Sequence, residues 1–85
     1  MEVIYSVYVV KCCDGTLYTG VAKDVSKRVS THNNGKGAKY TRARLPVKLV
    51  FVCRMESRSQ ALRSEALIKR MTRAQKEILI KLTQR

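Results

Sequence analysis

Ile4-Tyr5-Ser6-Val7-Tyr8-Val9-Val10-Lys11 and Thr16-Leu17-Tyr18-Thr19-Gly20-Val21 lie on either side of Cys12-Cys13-Asp14-Gly15. Val and Tyr suit a pleated, half-buried backbone, and Asp-Gly between two such segments signals a hairpin, so two antiparallel strands are predicted. Loop length then decides which side chains share a face. A two-residue loop pairs Cys13 with Thr16 and sends Tyr8 and Tyr18 to opposite faces. A three-residue Cys13-Asp14-Gly15 loop, with Gly15 left-handed in a G1 bulge, pairs Cys12 with Thr16, Tyr8 with Gly20 and Val10 with Tyr18. Both phenols then stand on one side as diagonal neighbours, and Val7, Val9, Leu17 and Val21 share the other. That second set is a good core stripe and favours the bulged register.

Beyond the hairpin, Asp24 is placed to cap a helix from about Val25 to Asn33, in which Val25 and Val29 lie one turn apart and Asn34-Gly35 stops the helix. Gly35 to Pro46 is Gly, Lys, Arg, Thr and Ala without sustained periodicity, which reads as an exposed, cationic connection. Val47 to Cys53 predicts a third strand, buried on both faces or central in a small sheet. Ser57-x-x-Gln60 opens a helix to about Arg70, and Thr72-x-x-Gln75 opens another to about Leu82, whose Ile78, Leu79 and Leu82 read as core packing. The predicted order is β-β-α-β-α-α, an α+β chain.

The chain has 85 residues, of which 18 are Lys or Arg and six are Asp or Glu, for a net charge of +12. That length suits one small domain, and 45% hydrophobic residues argue for a core rather than disorder. The apolar runs fall far short of the ~20 residues that cross a bilayer, and no charged-then-apolar leader opens the chain, so a soluble, cytoplasmic protein is expected. Cys12, Cys13 and Cys53 lack metal-ligand spacing, and His32 cannot complete a zinc site with them, so neither a disulfide framework nor structural zinc is expected.

Charge placement says more than charge size. Between Asp24 and Glu56 no acid occurs, while Lys27, Arg28, Lys36, Lys39, Arg42, Arg44, Lys48 and Arg54 supply eight positive charges. Such a segment either attracts a polyanion or simply solubilises the surface. It lacks the amphipathic apolar face of a membrane-surface helix.

Residues able to do chemistry are few. Six acids without clustering argue against a two-metal site, and a single His without a recognisable nucleophile elbow argues against triad hydrolysis. Arg28 and His32, four residues apart on a helix, share a face and either meet an anion jointly or sit in solvent. Glu65 falls on a mostly apolar stripe with Ala61, Leu62 and Ile68, and Lys69 at its edge. A buried carboxylate there needs a cation, from Arg28 or a base of the Gly35 to Pro46 segment, or a bound metal.

Ser6-Val7-Tyr8, then Tyr18-Thr19-Gly20, then Arg28 and His32 on one helix and Glu65 on a later one, resemble the GIY-YIG nuclease family over nearly the whole chain. Leu17 to Gly20, Gly35-Lys36-Gly37-Ala38-Lys39-Tyr40-Thr41-Arg42 and Ala61-Leu62-Arg63-x-Glu65 resemble its small standalone YhbQ-like branch. The resemblance implies a central three-stranded antiparallel sheet flanked by helices, and a phosphodiester hydrolase using one Mg²⁺ or Mn²⁺ ion. It implies that Glu65 holds the metal, Arg28 steadies the scissile phosphate, and Tyr8 and Tyr18 orient or deprotonate the attacking water. His32 would stand beside the phosphate, and Gly20 would let the backbone approach. The chain departs from the family at Ser6, where Gly is usual, and has no Asn after Glu65.

The expected function is a metal-dependent endonuclease acting on DNA, structured or nicked. The alternative is a non-catalytic DNA- or RNA-binding module whose Lys36, Lys39, Tyr40, Arg42 and Arg44 contact the polymer. Tyr40 stacks on a base, enters the site or packs the loop. A monomer is expected, and no residue names a protein partner. A tyrosine with an ordinary pKa of about 10 is a poor base at neutral pH, so its activation needs help from Arg28, nearby lysines or a metal dication.

Overall fold

The computed structural model describes residues 4–83. Strands Tyr5–Lys11 (β1), Leu17–Ala22 (β2) and Lys48–Met55 (β3) form one antiparallel sheet in the order β2-β1-β3. The helices are Val25–Asn33 (α1), Lys39–Arg42 (α2), Arg58–Arg70 (α3) and Arg73–Thr83 (α4). This is the expected α+β arrangement with one addition, the single turn α2 inside the segment read as an irregular connection. Four residues are too short to show a hydrophobic period, which is why the sequence pattern conceals it.

The hairpin adopts the bulged register. Tyr8 pairs with Gly20 and Val10 with Tyr18, the Cys12 amide donates to the Thr16 carbonyl at 2.8 Å, and Gly15 has φ 85°. Asp14 secures the turn by accepting from the Thr16 amide at 3.1 Å and its hydroxyl at 2.6 Å, and these bonds hold its carboxyl below the usual range. The predicted caps are also present. Asp24 accepts from the Lys27 amide at 3.0 Å, Ser57 from the Gln60 amide at 3.2 Å, and Thr72 and Gln75 cap each other reciprocally at 3.2 and 2.9 Å.

Alternation along β1 places a core on each side of the sheet. Val7 and Val9 join Phe51, Ala61, Ile68 and Ile80 on the side of α3 and α4. Tyr8, Val10, Cys12 and Val47 form the second cluster, with Val25 and Val29 of α1 packed against it. Fully burying a side chain of valine size contributes about 1.5–3 kcal/mol, and two covered faces let so short a chain use both sides of its central strand.

Two expectations about packing are corrected. β3 is neither central nor buried on both faces; it is an edge strand whose Val52, Cys53 and Arg54 are exposed. A run of apolar residues does not reveal which strand lies between two others, and that place goes to β1. On α4, Leu79 packs against the core as expected, but Ile80 is the buried residue, and Ile78 is 58% and Leu82 77% exposed. Adjacent isoleucines and leucines permit more than one inward face, and the sheet contact selects among them.

Thr19, opposite Val9 on β2, is buried, and among the described residues its Oγ1 has no hydrogen-bond partner. Burial without a partner costs about 1–3 kcal/mol, and an apolar group of the same shape avoids that cost. Thr19→Val is therefore expected to stabilise the fold by about 1 kcal/mol, read as a higher urea midpoint with an unchanged slope. A lower midpoint would mean that the hydroxyl has an acceptor.

Candidate active site

Four elements bring side chains to one cleft. Tyr8 comes from β1, Tyr18 and Gly20 from β2, Arg28 from α1, and Arg58, Leu62 and Glu65 from α3; Tyr5 and Val21 complete the wall of this opening of about 250 Å³. The bulged hairpin puts both phenols on one face, and the turn at Asp24 carries the chain back so that Arg28 approaches them. Arg58, Leu62 and Glu65, at i, i+4 and i+7 along α3, share one helix face and line the same opening.

Tyr8 is the most enclosed of these groups, at 1% exposure. Its ring lies across Gly20, where an added Cβ would stand 2.5 Å from the Tyr8 hydroxyl. Glycine is needed here for space rather than for an unusual backbone angle. Burial raises the pKa of Tyr8 above that of an ordinary tyrosine, and Arg28 pulls in the opposite direction, first through a hydrogen bond to the phenol and then through its charge. The resting group is thus a neutral phenol.

His32 does not stand in the cleft. It is fully buried, with Nε2 2.9 Å from the Tyr8 hydroxyl and Nδ1 2.8 Å from Thr41 Oγ1. The expected place beside a phosphate is corrected: the helix turns Arg28 toward the opening and His32 inward beneath Tyr8. Burial, then the Arg28 charge, lower its pKa, so the ring is neutral. Tyr18 meets this imidazole edge-on with centroids 5.5 Å apart.

Glu65 is partly open to solvent, with 22% of its side chain exposed, and pairs with Lys69 at 3.4 Å. The cation comes from its own helix, not from Arg28 or the cationic loop. An ion pair with so exposed a lysine contributes little and leaves the carboxylate available.

The cationic residues divide into two groups. Lys36, Lys39 and Arg42 are exposed on the loop and α2, away from the cleft lining. Arg44 is a strut: it pairs with Asp14 at 3.1 Å, donates to the Tyr40 carbonyl at 2.8 Å and lies over the Tyr40 ring at 4.0 Å. The other neighbour of Tyr40 is Tyr18, stacked with centroids 6.0 Å apart, so Tyr40 packs the loop against the site. Sequence reasoning missed Arg58, Tyr5 and Thr41. The i, i+4, i+7 spacing from Arg58 to Glu65 was available as a signal. For Tyr5, strand alternation pointed to the other face, and for Thr41 no local signal exists.

A family model described as the GIY-YIG catalytic domain matches residues 4–78. A UPF0213 protein of Streptococcus agalactiae is 58% identical over 74 residues, which cover 87% of this chain and 84% of that protein. A UPF0213 protein of Staphylococcus aureus is 57% identical over 75 residues, covering 88% and 92%. Among solved structures, the solution structure of a Bacillus halodurans UPF0213 protein aligns with a TM-score of 0.63 at 42% identity, covering 94% of this chain and 85% of that one. A second solution structure, from E. faecalis, aligns with a TM-score of 0.64 at 40% identity, covering 96% and 90%.

Proposed function

This chain belongs to the GIY-YIG family, and from that premise we propose that it is a metal-dependent phosphodiester hydrolase acting on DNA, structured or nicked, in the cytoplasm. One observation carries the reading: Tyr8, Tyr18, Arg28 and Glu65, from four separate elements, line a single cleft. Two phenols, a guanidinium and a carboxylate around one opening combine groups that move a proton, meet an anion and hold a cation.

Arg28 presents planar donors suited to the non-bridging oxygens of a phosphodiester, and Arg58 adds a second cation at the rim. Charge on these oxygens grows in the transition state, so donors held in place favour it over the ground state. Tyr8 Oη takes the proton of the attacking water, and the Tyr18 hydroxyl helps hold that water in line. With its raised pKa Tyr8 does not act as a standing phenolate; it accepts one proton while its own is drawn toward His32.

The donor set fits a magnesium-type ion. Glu65 is the carboxylate that lines the cleft, an oxygen donor suited to a hard cation such as Mg²⁺ or Mn²⁺, which is commonly held through one or two carboxylates. Glu65 would hold it, and when bound the ion would supply positive charge beside the phosphate and acidify nearby water. The exposed Lys36, Lys39 and Arg42 extend the positive surface outside the cleft, where they contact the backbone of a longer substrate.

The test is a panel of supercoiled, branched and flapped DNA incubated with purified protein and Mg²⁺ or Mn²⁺. Nicking that stops with a chelator is the expected result, together with binding that weakens by roughly 0.9 log units per phosphate contact for each log unit of salt. Salt-sensitive binding without nicking across the panel would leave a nucleic-acid binding module in place of the hydrolase.

A further inference from the structure

A chain of four polar groups, three of them on buried side chains, runs inward from the cleft. Tyr8 Oη lies 2.9 Å from His32 Nε2, His32 Nδ1 lies 2.8 Å from Thr41 Oγ1, and Thr41 Oγ1 donates to the Ala38 carbonyl at 2.9 Å. Tyr8, His32 and Thr41 are all essentially inaccessible to water. A neutral imidazole carries one proton on two nitrogens, so the chain has a direction, and that direction is set by whichever end is anchored.

The anchor is at Thr41. A carbonyl can only accept, so a Thr41 hydroxyl bonded to Ala38 has its single proton turned away from the ring and offers the ring a lone pair. Nδ1 must then carry the imidazole proton. Nε2 is left as an acceptor facing Tyr8 Oη, and the Arg28 guanidinium, which can only donate, meets the same oxygen from the cleft side. Every donor in the chain thus has its acceptor. In the opposite arrangement Nε2–H donates to Tyr8, and the phenol must aim its own proton into the cleft. The ring cannot escape the contact by swinging aside, because a Cβ at Gly37 would overlap Nδ1, which shows how closely the loop backbone is laid against it.

We infer that Thr41 is a positioning residue that holds His32 as its Nδ1–H tautomer, making Tyr8 a donor to Nε2 and leaving the phenol oxygen able to accept a proton from the cleft. The catalytic consequence rests on the hydrolytic reading; the tautomer does not. In the step itself, the water O–H bond breaks and its proton binds Tyr8 Oη. The Tyr8 O–H bond breaks and that proton binds Nε2. The water oxygen forms its bond to phosphorus as the bond to the leaving oxygen breaks, and the leaving oxygen takes a proton from solvent. The imidazolium so formed has both N–H groups accepted, by Tyr8 Oη and Thr41 Oγ1. Burial and Arg28 disfavour that charge, so the proton returns once product departs.

His32 is the sole histidine of the chain, so ¹⁵N spectra of the ring in the free protein, at a pH well above the imidazole range, read the tautomer directly. Nδ1–H is expected to dominate in the wild type by about tenfold or more, the preference that one buried, unmade hydrogen bond enforces. Thr41→Val, which keeps the shape and removes the hydroxyl, is expected to abolish that dominance, and Thr41→Ser to keep it. Should Thr41→Val not fold, Tyr8→Phe supplies the complementary measurement: with the phenol gone, Nδ1–H must still dominate if Thr41 is the anchor. A wild-type ring dominated by Nε2–H, or Nδ1–H dominance that survives Thr41→Val or disappears in Tyr8→Phe, overturns the inference. None of these spectra needs metal or substrate, so absence of nicking would remove the hydrolytic reading while leaving the tautomer result to be judged alone.

Discussion

Tyr8→Phe is expected to lower the rate of nicking by about 10²–10⁴-fold while leaving DNA affinity nearly unchanged, because positioned proton transfer contributes on that order and the phenylalanine ring still fills the space over Gly20. The substitution removes one oxygen from a site whose Arg28, Arg58 and exposed lysines are untouched. Loss of rate at constant affinity is therefore the signature of a group acting in the transition state. Stability should fall as well, by about 1–3 kcal/mol, since His32 Nε2 then lies buried without its donor. The two effects separate by temperature: a rate deficit caused by unfolding shrinks on moving below the melting range, and one caused by chemistry persists. Nicking within about tenfold of wild type would exclude Tyr8 as the proton acceptor, since general-base catalysis is worth more than that. Tyr18, the other phenol in the cleft, would become the candidate.

Glu65→Ala is expected to abolish Mg²⁺- or Mn²⁺-dependent nicking and to leave salt-sensitive binding intact or slightly tighter. The second half follows from electrostatics: deleting an anion from a cleft that already holds Arg28 and Arg58 makes it more positive, and long-range attraction of a polyanion increases. Little stability is at risk, because the Glu65–Lys69 pair lies at 3.4 Å with a lysine more than half exposed, and such pairs contribute about 0–1 kcal/mol. A Glu65→Ala protein that binds and still nicks with metal would show that another group holds the ion. A protein that neither binds nor nicks would point to a structural role for Glu65. Far-ultraviolet circular dichroism of the same sample, compared with wild type, identifies that case.

Both results depend on a geometry of which part was legible beforehand. Asp14-Gly15 and the Val7-Val9-Leu17-Val21 stripe indicate the bulged hairpin, which is the register observed. Asp24, Ser57 and Thr72 mark helix starts, and each side chain makes its capping bond. Resemblance to a known family then joined Tyr8, Tyr18, Arg28 and Glu65, and these four share the cleft. Less was visible in the cationic segment. Lys36 through Arg44 read as one uniform surface, yet Arg44 braces Asp14 and Tyr40 while Lys36, Lys39 and Arg42 stay exposed.

The residues by themselves determined what neighbours in the chain can settle: hairpin register, helix caps and the side on which each strand residue falls. These depend on backbone sterics and on hydrogen bonds spanning two to four positions. Only the folded chain decided that β1 lies between β2 and β3 and that α4 buries Ile80 while exposing Ile78. The same is true of His32, which turns under Tyr8 rather than toward solvent. Tyr8 and His32 are 24 residues apart, and Asp14 and Arg44 are 30 apart. At such separations the loop-closure entropy is met by the summed burial of both cores, not by any local preference, so a side chain's final partner is a property of the whole packed molecule.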